Sequence, residues 1–204
     1  MENTNKQELA EEEMINCVDK QGNIVGTVER NEGINRGVLL QAVQLWIINP
    51  KTKKVLMQRR SAKKENDANM IDASVSGHVK KNEIPTQAIL REAFEEIGMI
   101  PTELFSKLQT LNKIEVDFSK IGRKGRYIAH EYLAFFEYPL EYYKKQDEEV
   151  DELFFWDYEK VKQEIRNKNP NMRIPYIKET EELFKMLDKK INQRKEEKEK
   201  CEEK

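Results

Sequence analysis

Three carboxylates and one guanidinium occur within six residues of this chain, at Arg91, Glu92, Glu95 and Glu96. The run 84–98 (IPTQAILREAFEEIG) predicts a helix, because proline suits a first helical turn and glycine suits a helix end. At about 100° per residue, the four charged side chains share one face of this helix. The opposite, apolar face comprises Ile89, Leu90, Ala93, Phe94 and Ile97.

This acidic face has two interpretations. It is typical of the solvent-exposed side of an ordinary amphipathic helix. Like charges four residues apart, such as Glu92 and Glu96, nevertheless destabilise a helix mildly unless something neutralises them. Mg²⁺ and Mn²⁺ do so, because these hard cations prefer carboxylate and carbonyl oxygens. The helix therefore carries either a hydrated acidic surface or a divalent-cation site.

The residues before the helix favour the second interpretation. The segment 77–99 reads Gly77, five residues, Glu83, seven residues, and then REAFEEIGM. It resembles the Nudix box, G-x5-E-x7-R-E-U-x-E-E-x-G-U with U aliphatic, and Ala93 and Met99 are its softer matches. The order of predicted strands around the box extends the resemblance to roughly residues 14–160.

The resemblance implies a loop–helix–loop that holds Mg²⁺ or Mn²⁺ under a diphosphate. The implied metal ligands are the carbonyl of Gly77 and the carboxylates of Glu92, Glu95 and Glu96. Glu92 is a ligand or the base for the attacking water. Glu83 supports the ligands without binding the metal itself, and Arg91 is an ion-pair partner that orients the glutamates. Metal ions offset the charge of a diphosphate and lower the pKa of bound water. The implied reaction is hydrolysis of a nucleoside diphosphate derivative or similar small organic diphosphate, with water attacking phosphorus.

Four residues outside these ligands are candidates for contact with the substrate: Arg59, Arg60, His78 and Glu131. Arg59 and Arg60 are neighbours on a predicted strand, so they point to opposite faces, and we expect one to face the diphosphate. His78 either contacts phosphate or metal or serves as a structural hydrogen-bonding residue. Glu131 is either an additional base or ligand or a solvent-facing strand residue.

The sequence around the box looks closest to the Nudix branch related to isopentenyl-diphosphate isomerase, through SVSGHV and the upstream QRRS. That isomerase uses a cysteine immediately before the Gly-His pair and a metal site with several histidines. Here Ser76 stands at the cysteine position, and residues such as Gly33 and Leu40 stand where histidines are expected. The hydrolase interpretation is therefore preferred, with the isomerase and a non-catalytic Nudix-fold binding module as alternatives.

The elements that position these residues mix strands and helices irregularly. Predicted strands cover 14–19 and 24–30 as a hairpin, then 38–48, 55–60, 71–77, 103–118, 127–137 and 153–156. Segment 31–37 predicts a loop, and two further helices are predicted at 157–168 and 176–192. We expect an α/β (α+β) fold: a Nudix α/β/α sandwich with a mixed sheet, an N-terminal β-hairpin and a C-terminal helical extension.

Composition favours one domain with charged ends. The chain has 38% hydrophobic and 36% charged residues. We expect a polar leader at 1–13 that is disordered or a frayed helix, a Nudix domain at 14–187 and a charged tail at 188–204. Cys17 and Cys201 lie far apart, in no metal or redox spacing.

Charge and hydropathy narrow the expected partners. Lys and Arg number 36 against 38 Asp and Glu, so the sequence lacks the basic excess typical of a nucleic-acid-binding protein. No apolar run reaches bilayer-spanning length, and the N-terminus lacks a signal pattern. The expectation is a cytoplasmic monomer or homodimer that acts on a small-molecule diphosphate, with no nucleic-acid or membrane partner.

Overall fold

The computed structural model describes residues 13–202, with side chains to residue 197. Its strands are β1 (Met14–Val18), β2 (Ile24–Glu29), β3 (Leu39–Asn49), β4 (Lys54–Arg60), β5 (Ile71–Asp72), β6 (Val75–His78), β7 (Gln109–Asp117), β8 (Arg126–Phe135) and β9 (Val150–Asp157). Its helices are α1 (Arg30–Arg36), α2 (Pro85–Ile97), α3 (Pro101–Phe105), α4 (Tyr158–Arg166) and α5 (Lys178–Glu202).

Strand β3 is the centre of a mixed sheet. It pairs in parallel with β8 along its length and antiparallel with β1, β4 and β6. Its sequence LLQAVQLWII is apolar on both faces, as expected for a strand that helices cover from both sides. Strands β1 and β2 form the predicted N-terminal hairpin, and β7 and β9 pair with β8 and β4.

Helices cover both faces of β3. On one face Val43, Leu45 and Ile47 pack with the apolar side of α2. On the other face Trp46 and Ile48 pack with α4 and α5, whose Leu183, Phe184 and Leu187 are fully buried. Burying each such large side chain contributes about 1.5–3 kcal/mol, so α5 is anchored by its first three turns. The α/β/α sandwich and C-terminal helical extension are confirmed.

Helix α2 has the predicted position and a less regular surface than predicted. Pro85 occupies its first turn, the Gln87 side chain accepts the Ile84 N–H, and Gly98 ends it at a φ of 68°. Phe94, predicted to lie in the apolar face, is 58% exposed because it stands at the margin of that stripe. Part of the helix's hydrophobic pattern is therefore left open to solvent.

Three segments differ from the predicted elements. Most of the predicted loop 31–37 is helix α1, which ends at Arg36, because the Glu29 carboxylate caps the N–H groups of Asn31 and Glu32. The predicted strand 103–118 begins as helix α3 and becomes strand only at Gln109. The predicted strand 71–77 is divided into β5 and β6.

The predicted leader lies outside the described residues except at its last position, and 188–202 continues helix α5. Within 13–202, no helix combines the length and apolar character needed to cross a membrane.

Candidate metal and diphosphate site

Helix α2 brings a carboxylate directly onto the backbone of β6. The Glu92 carboxyl group lies against Gly77, so that a Cβ atom at position 77 would overlap it. Only glycine leaves room for this approach, and it leaves the Gly77 backbone open beside the carboxylate. Burial raises the pKa of Glu92, although the charge of Arg91 partly offsets this effect.

Glu96 is buried, with 2% of its surface exposed, instead of lying on the predicted solvent face. Its carboxylate accepts hydrogen bonds from Gln58 Nε2 at 2.8 Å and from the Ser76 N–H at 3.1 Å. Burial and then the neighbouring charge of Glu92 raise its pKa to about 8. The helical wheel could not predict the burial of Glu96, because the residues that cover its carboxylate, Gln58 and Ser76, belong to strands β4 and β6.

Arg91 ties the helix to the preceding loop. Its guanidinium donates to both carboxylate oxygens of Glu83, at 2.9 and 3.0 Å, and to the His78 carbonyl at 3.1 Å. It also forms ion pairs with Glu92 at 2.8 Å and Glu95 at 3.0 Å. Glu83 accepts the Lys80 N–H as well. Arg91 and Glu83 thus fix the positions of the other carboxylates.

We define Glu92, Glu95 and Glu96 as the acidic wall. Across the described part of the chain, no three His, Cys, Asp or Glu side chains converge as a ready-made metal cage. In the acidic wall this is because Arg91 separates Glu92 from Glu95 while Glu96 turns to Gln58. The donor set still fits Mg²⁺ or Mn²⁺, because all its donor atoms are oxygens, the carboxyl groups of half-buried Glu92 and buried Glu96 have raised pKa values, and the Gly77 backbone lies beside Glu92.

The acidic wall forms one side of a cavity of about 430 Å³. A set of cations that we define as the basic wall also lines this cavity: Arg30, Arg60, Lys64 and Arg173. Arg173 donates to Asp72 at 2.8 Å and to Asp67 at 3.1 Å. Burial, and then the charges of Arg60 and Arg30, lower the pKa of Lys64 to about 8. The cavity thus presents carboxylates and cations to the same space.

The substrate candidates divide between the cavity and the surface. Arg60 lines the cavity and is 7% exposed, whereas Arg59 donates to Glu152 and to the Asn69 carbonyl away from it. His78 lines the cavity, and burial with nearby cations holds its pKa well below the usual range. Glu131 also lines it, so the solvent-facing alternative is wrong. Trp46 Nε1 donates to the Glu131 carboxylate at 2.9 Å, and burial raises the pKa of Glu131 to about 8.

Sequence reasoning missed much of the basic wall. Arg173 comes from the connection between α4 and α5, 74 residues beyond the end of the box at Met99, and no local pattern marks it. Lys64 is one of several lysines in predicted loops, and nothing in the sequence distinguishes it from the others. Gln58 and Asp72, which hold Glu96 and Arg173, are polar strand residues that no motif marks. The sequence contains no spacing signal that joins these positions.

Comparison with known proteins agrees with this geometry. The sequence model of the NUDIX domain matches residues 38–176. Nudix hydrolase 3 of Arabidopsis thaliana is 25% identical over 173 residues, which are 81% of this chain and 22% of that protein. An uncharacterised Nudix hydrolase of Streptomyces coelicolor is 33% identical over 87 residues, which are 43% of this chain and 48% of that protein.

The fold also has a solved counterpart. The structure of DR0079 from Deinococcus radiodurans is similar with a TM-score of 0.60 and 18% identity, over 76% of this chain and 90% of that one. This likeness concerns the fold alone. The chain spans less than half the length of each of the two curated relatives named above.

Proposed function

The chain belongs to the Nudix family, and from its cavity we propose that it hydrolyses a diphosphate linkage in a small organic substrate with the help of a divalent cation. One observation carries the proposal: the Glu92 carboxyl lies on the Gly77 backbone, beside buried Glu96, in a cavity that also contains the basic wall. A diphosphate fits such a cavity, because metal ions held by carboxylates and nearby cationic side chains can together offset its dense negative charge. The proposed substrate is a nucleoside diphosphate derivative or a similar organic diphosphate.

The proposed metal is Mg²⁺ or Mn²⁺, held by the Gly77 carbonyl and by Glu92, Glu95 and Glu96. When bound, such an ion neutralises phosphate charge and lowers the pKa of a coordinated water. Arg91 fixes this arrangement by joining Glu83, the His78 carbonyl and the acidic wall. His78 is kept uncharged at neutral pH by its lowered pKa, so it contacts the substrate as a neutral ring.

Two carboxyl groups are candidates for the proton transfers. We assign proton acceptance from the attacking water to Glu92, because its carboxylate lies on the Gly77 backbone, beside the proposed metal position. Glu131 is protonated in a large fraction of molecules at pH 7, since its pKa is about 8. We therefore propose Glu131 as a hydrogen-bond donor to the substrate rather than as the base.

The basic wall supplies the complementary charge. Arginine guanidinium groups match phosphate oxygens with parallel donors, and Lys64 adds a compact positive charge. The Asp72 carboxylate forms ion pairs with both Arg60 and Arg173, and these contacts hold the two side chains in place. The proposed role of this wall is to bind and orient the diphosphate so that phosphorus faces the acidic wall.

The isomerase alternative has less support. The Ser76 hydroxyl donates to the buried Asp72 at 2.7 Å, so its proton already has an acceptor. The chain contains two histidines, and His130 bonds to Gln41 outside the cavity lining. These residues cannot build a metal site that needs several histidines.

The test is hydrolysis of a panel of diphosphate compounds with Mg²⁺ or Mn²⁺, repeated with a chelator. Reaction in ¹⁸O-labelled water identifies the attacked atom, because the label must enter a phosphate product and not the organic alcohol. Chelation should abolish turnover. Absence of any hydrolysis with saturating metal, or proton exchange into isopentenyl diphosphate in D₂O, would refute the proposed reaction.

A further inference from the structure

One carboxylate outside the cavity joins three connecting segments of the fold. Asp67 belongs to the β4–β5 loop, and its side chain accepts hydrogen bonds from Arg123 Nε at 3.0 Å and from Arg173 Nε at 3.1 Å. Arg123 belongs to the β7–β8 connection and Arg173 to the α4–α5 connection. Of these three residues, Arg173 lines the cavity and the other two do not. We call Asp67 and Arg123 the supporting pair, because both contact Arg173 from outside the cavity.

The supporting pair holds Arg173 by its side chain and by its backbone. Arg123 Nη1 donates to the Arg173 carbonyl at 3.0 Å, while Arg123 Nη2 lies 2.7 Å from the Asp67 carboxylate. Both guanidinium groups lie over the Phe118 ring, at 4.4 Å from its centre for Arg123 and 5.7 Å for Arg173. A planar guanidinium makes several such contacts at once, whereas the ammonium group of a lysine lacks the rigid fork of donors. The position of Arg173 therefore depends on Arg123 as well as on Asp67.

The backbone of Asp67 also supports the other arginine of the basic wall. Arg60 Nε donates to the Asp67 carbonyl at 3.2 Å, and Arg60 Nη2 donates to the Asn66 carbonyl at 3.3 Å. The φ of Asp67 is 56°, in the left-handed region that aspartate and asparagine adopt more readily than most residues. Asparagine at position 67 therefore removes the charge of the side chain while keeping this backbone conformation.

Arg173 retains one donor that its neighbours do not use. Its Nε donates to Asp67, and its Nη1 donates to Asp72 at 2.8 Å and to the Ser76 hydroxyl at 3.4 Å. Among the described residues, no group accepts a hydrogen bond from its Nη2. Burial alone would raise the pKa of Asp67, but the hydrogen bond from Arg123 and the charge of Arg173 outweigh it and lower that pKa. An ionised Asp67 thus fixes the guanidinium through Nε and leaves Nη2 for an anionic ligand.

We propose that Asp67 and Arg123 are positioning residues for diphosphate binding, which fix Arg173 so that its guanidinium meets a phosphate of the substrate. Hydrogen bonds from a guanidinium to phosphate depend on geometry as well as on charge. A side chain that the protein already holds also loses less freedom when it binds a ligand. Among the described residues, no hydrogen bond or ion pair joins the supporting pair to the acidic wall, so the role concerns phosphate and not the metal. This inference rests on the function proposed above and adds two residues to its substrate site.

The first experiment measures binding of methylenediphosphonate, a diphosphate analogue with a bridge that is not hydrolysed, by calorimetry with Mg²⁺. Asp67→Asn and Arg123→Lys should each weaken its binding about tenfold. Asp117→Asn is the matched control. The Asp117 side chain is 15% exposed against 19% for Asp67, forms an ion pair with Arg126 at 3.3 Å, and does not line the cavity. This control should keep wild-type affinity, and wild-type affinity in Asp67→Asn would overturn the proposal.

A double-mutant cycle separates positioning from a general loss of structure. Arg173→Lys keeps a positive charge near Asp72 but loses the planar group that Asp67 orients. In this background Asp67→Asn should weaken the analogue by less than about twofold, because its effect passes through Arg173. Effects that multiply in the double variant would overturn the proposal. Mn²⁺ affinity, measured by electron paramagnetic resonance without the analogue, should be unchanged in Asp67→Asn; its loss would mean that the residue supports the whole cavity and does not position Arg173.

These measurements also separate the supporting pair from the proposed reaction. Binding of the analogue that depends on Asp67 through Arg173, without hydrolysis of any diphosphate, would uphold the supporting pair and overturn the reaction. Metal-dependent hydrolysis with wild-type affinity in Asp67→Asn would uphold the reaction and overturn the supporting pair. Wild-type protein that fails to bind methylenediphosphonate would overturn both.

Discussion

The acidic and basic walls of the cavity are built in opposite ways. The acidic wall comes from one helix, at positions three and four residues apart. The basic wall comes from α1, the end of β4, the following loop and the connection to α5. A local pattern in the sequence therefore encodes the first wall, and only the tertiary fold assembles the second.

The two walls also differ in how their charges are balanced. Burial alone would raise the pKa of Asp72, but the charges of Arg173 and Arg60 outweigh it and lower that pKa. The ionised carboxylates of Asp67 and Asp72 thus offset the positive charge of the basic wall. In the acidic wall the balance has the opposite sign, because the pKa values of Glu92 and Glu96 are raised. The basic wall is therefore a charge-compensated scaffold, whereas in the acidic wall burial outweighs the compensating positive charges.

The largest expected effect breaks the acidic wall. Glu92→Gln removes the carboxylate that lies on Gly77 while preserving side-chain size, and should lower kcat about a thousandfold, or ~4 kcal/mol of transition-state stabilisation. Glu96→Gln should also lower kcat strongly. Glu148→Gln, at an exposed position outside the cavity lining, is the control and should keep full activity. Steady-state kinetics with saturating Mg²⁺ measure this, and wild-type turnover in Glu92→Gln would contradict the assignment.

The next effect breaks the scaffold of the basic wall. Arg173→Met removes the cation that bonds to Asp72 at 2.8 Å, and leaves Arg60, at 3.9 Å, as its remaining ion-pair partner. A buried carboxylate deprived of its main partner should cost about 3 kcal/mol of unfolding free energy. Arg59→Met is the control, since its partner Glu152 is at the surface and the expected loss is below about 0.5 kcal/mol. Urea denaturation measures the unfolding free energy of both variants. Equal stability of the two would mean that the ionised Asp72 does not need Arg173 as its partner.

A pH titration sharpens the comparison of charge balance. Glu96 and Glu131 both have a pKa of about 8, raised above the unfolded value by burial. A raised carboxyl pKa contributes stability that is fully present below about pH 4.5 and is lost as the pH rises through about 8. Metal-free protein should therefore lose several kcal/mol of unfolding free energy between pH 5 and 8, with a share from each of the two groups.

Two variants assign this pH dependence. Glu96→Gln and Glu131→Gln should each flatten the decline in unfolding free energy in metal-free protein. Saturating Mg²⁺ should remove the part that belongs to Glu96 and leave the part that belongs to Glu131. A decline that neither variant alters would show that other groups control the stability in this range.

The sequence predicted those features that depend on residues close together in the chain, and it did not predict those that depend on distant residues. The box spacing sufficed for α2, for the close approach at Gly77 and for Arg91 as the ion-pair partner of the glutamates, because these residues interact within one loop–helix unit. It did not suffice for the burial of Glu96, which depends on Gln58 from another strand. Helix α1 was missed because glutamate is an uncommon N-cap residue. The basic wall joins residues more than 100 positions apart, and no periodicity encodes that distance.

The smallest expected effect concerns Ser76, which lies between the two walls. Its backbone N–H donates to Glu96 and its hydroxyl donates to Asp72, at 3.1 and 2.7 Å. Ser76→Ala keeps the first bond and loses the second, so kcat should stay within about tenfold of wild type, and unfolding free energy should fall by about 0.5–1.5 kcal/mol. Ser74→Ala is the matched control, because its hydroxyl bonds only to the backbones of Ile47 and Leu56 and does not line the cavity. It should lose stability with no change in kcat. Kinetics and urea denaturation of both variants test this. A thousandfold loss of turnover in Ser76→Ala would mean that the hydroxyl takes part in bond making, and the serine would then belong to the chemistry rather than to the support of Asp72.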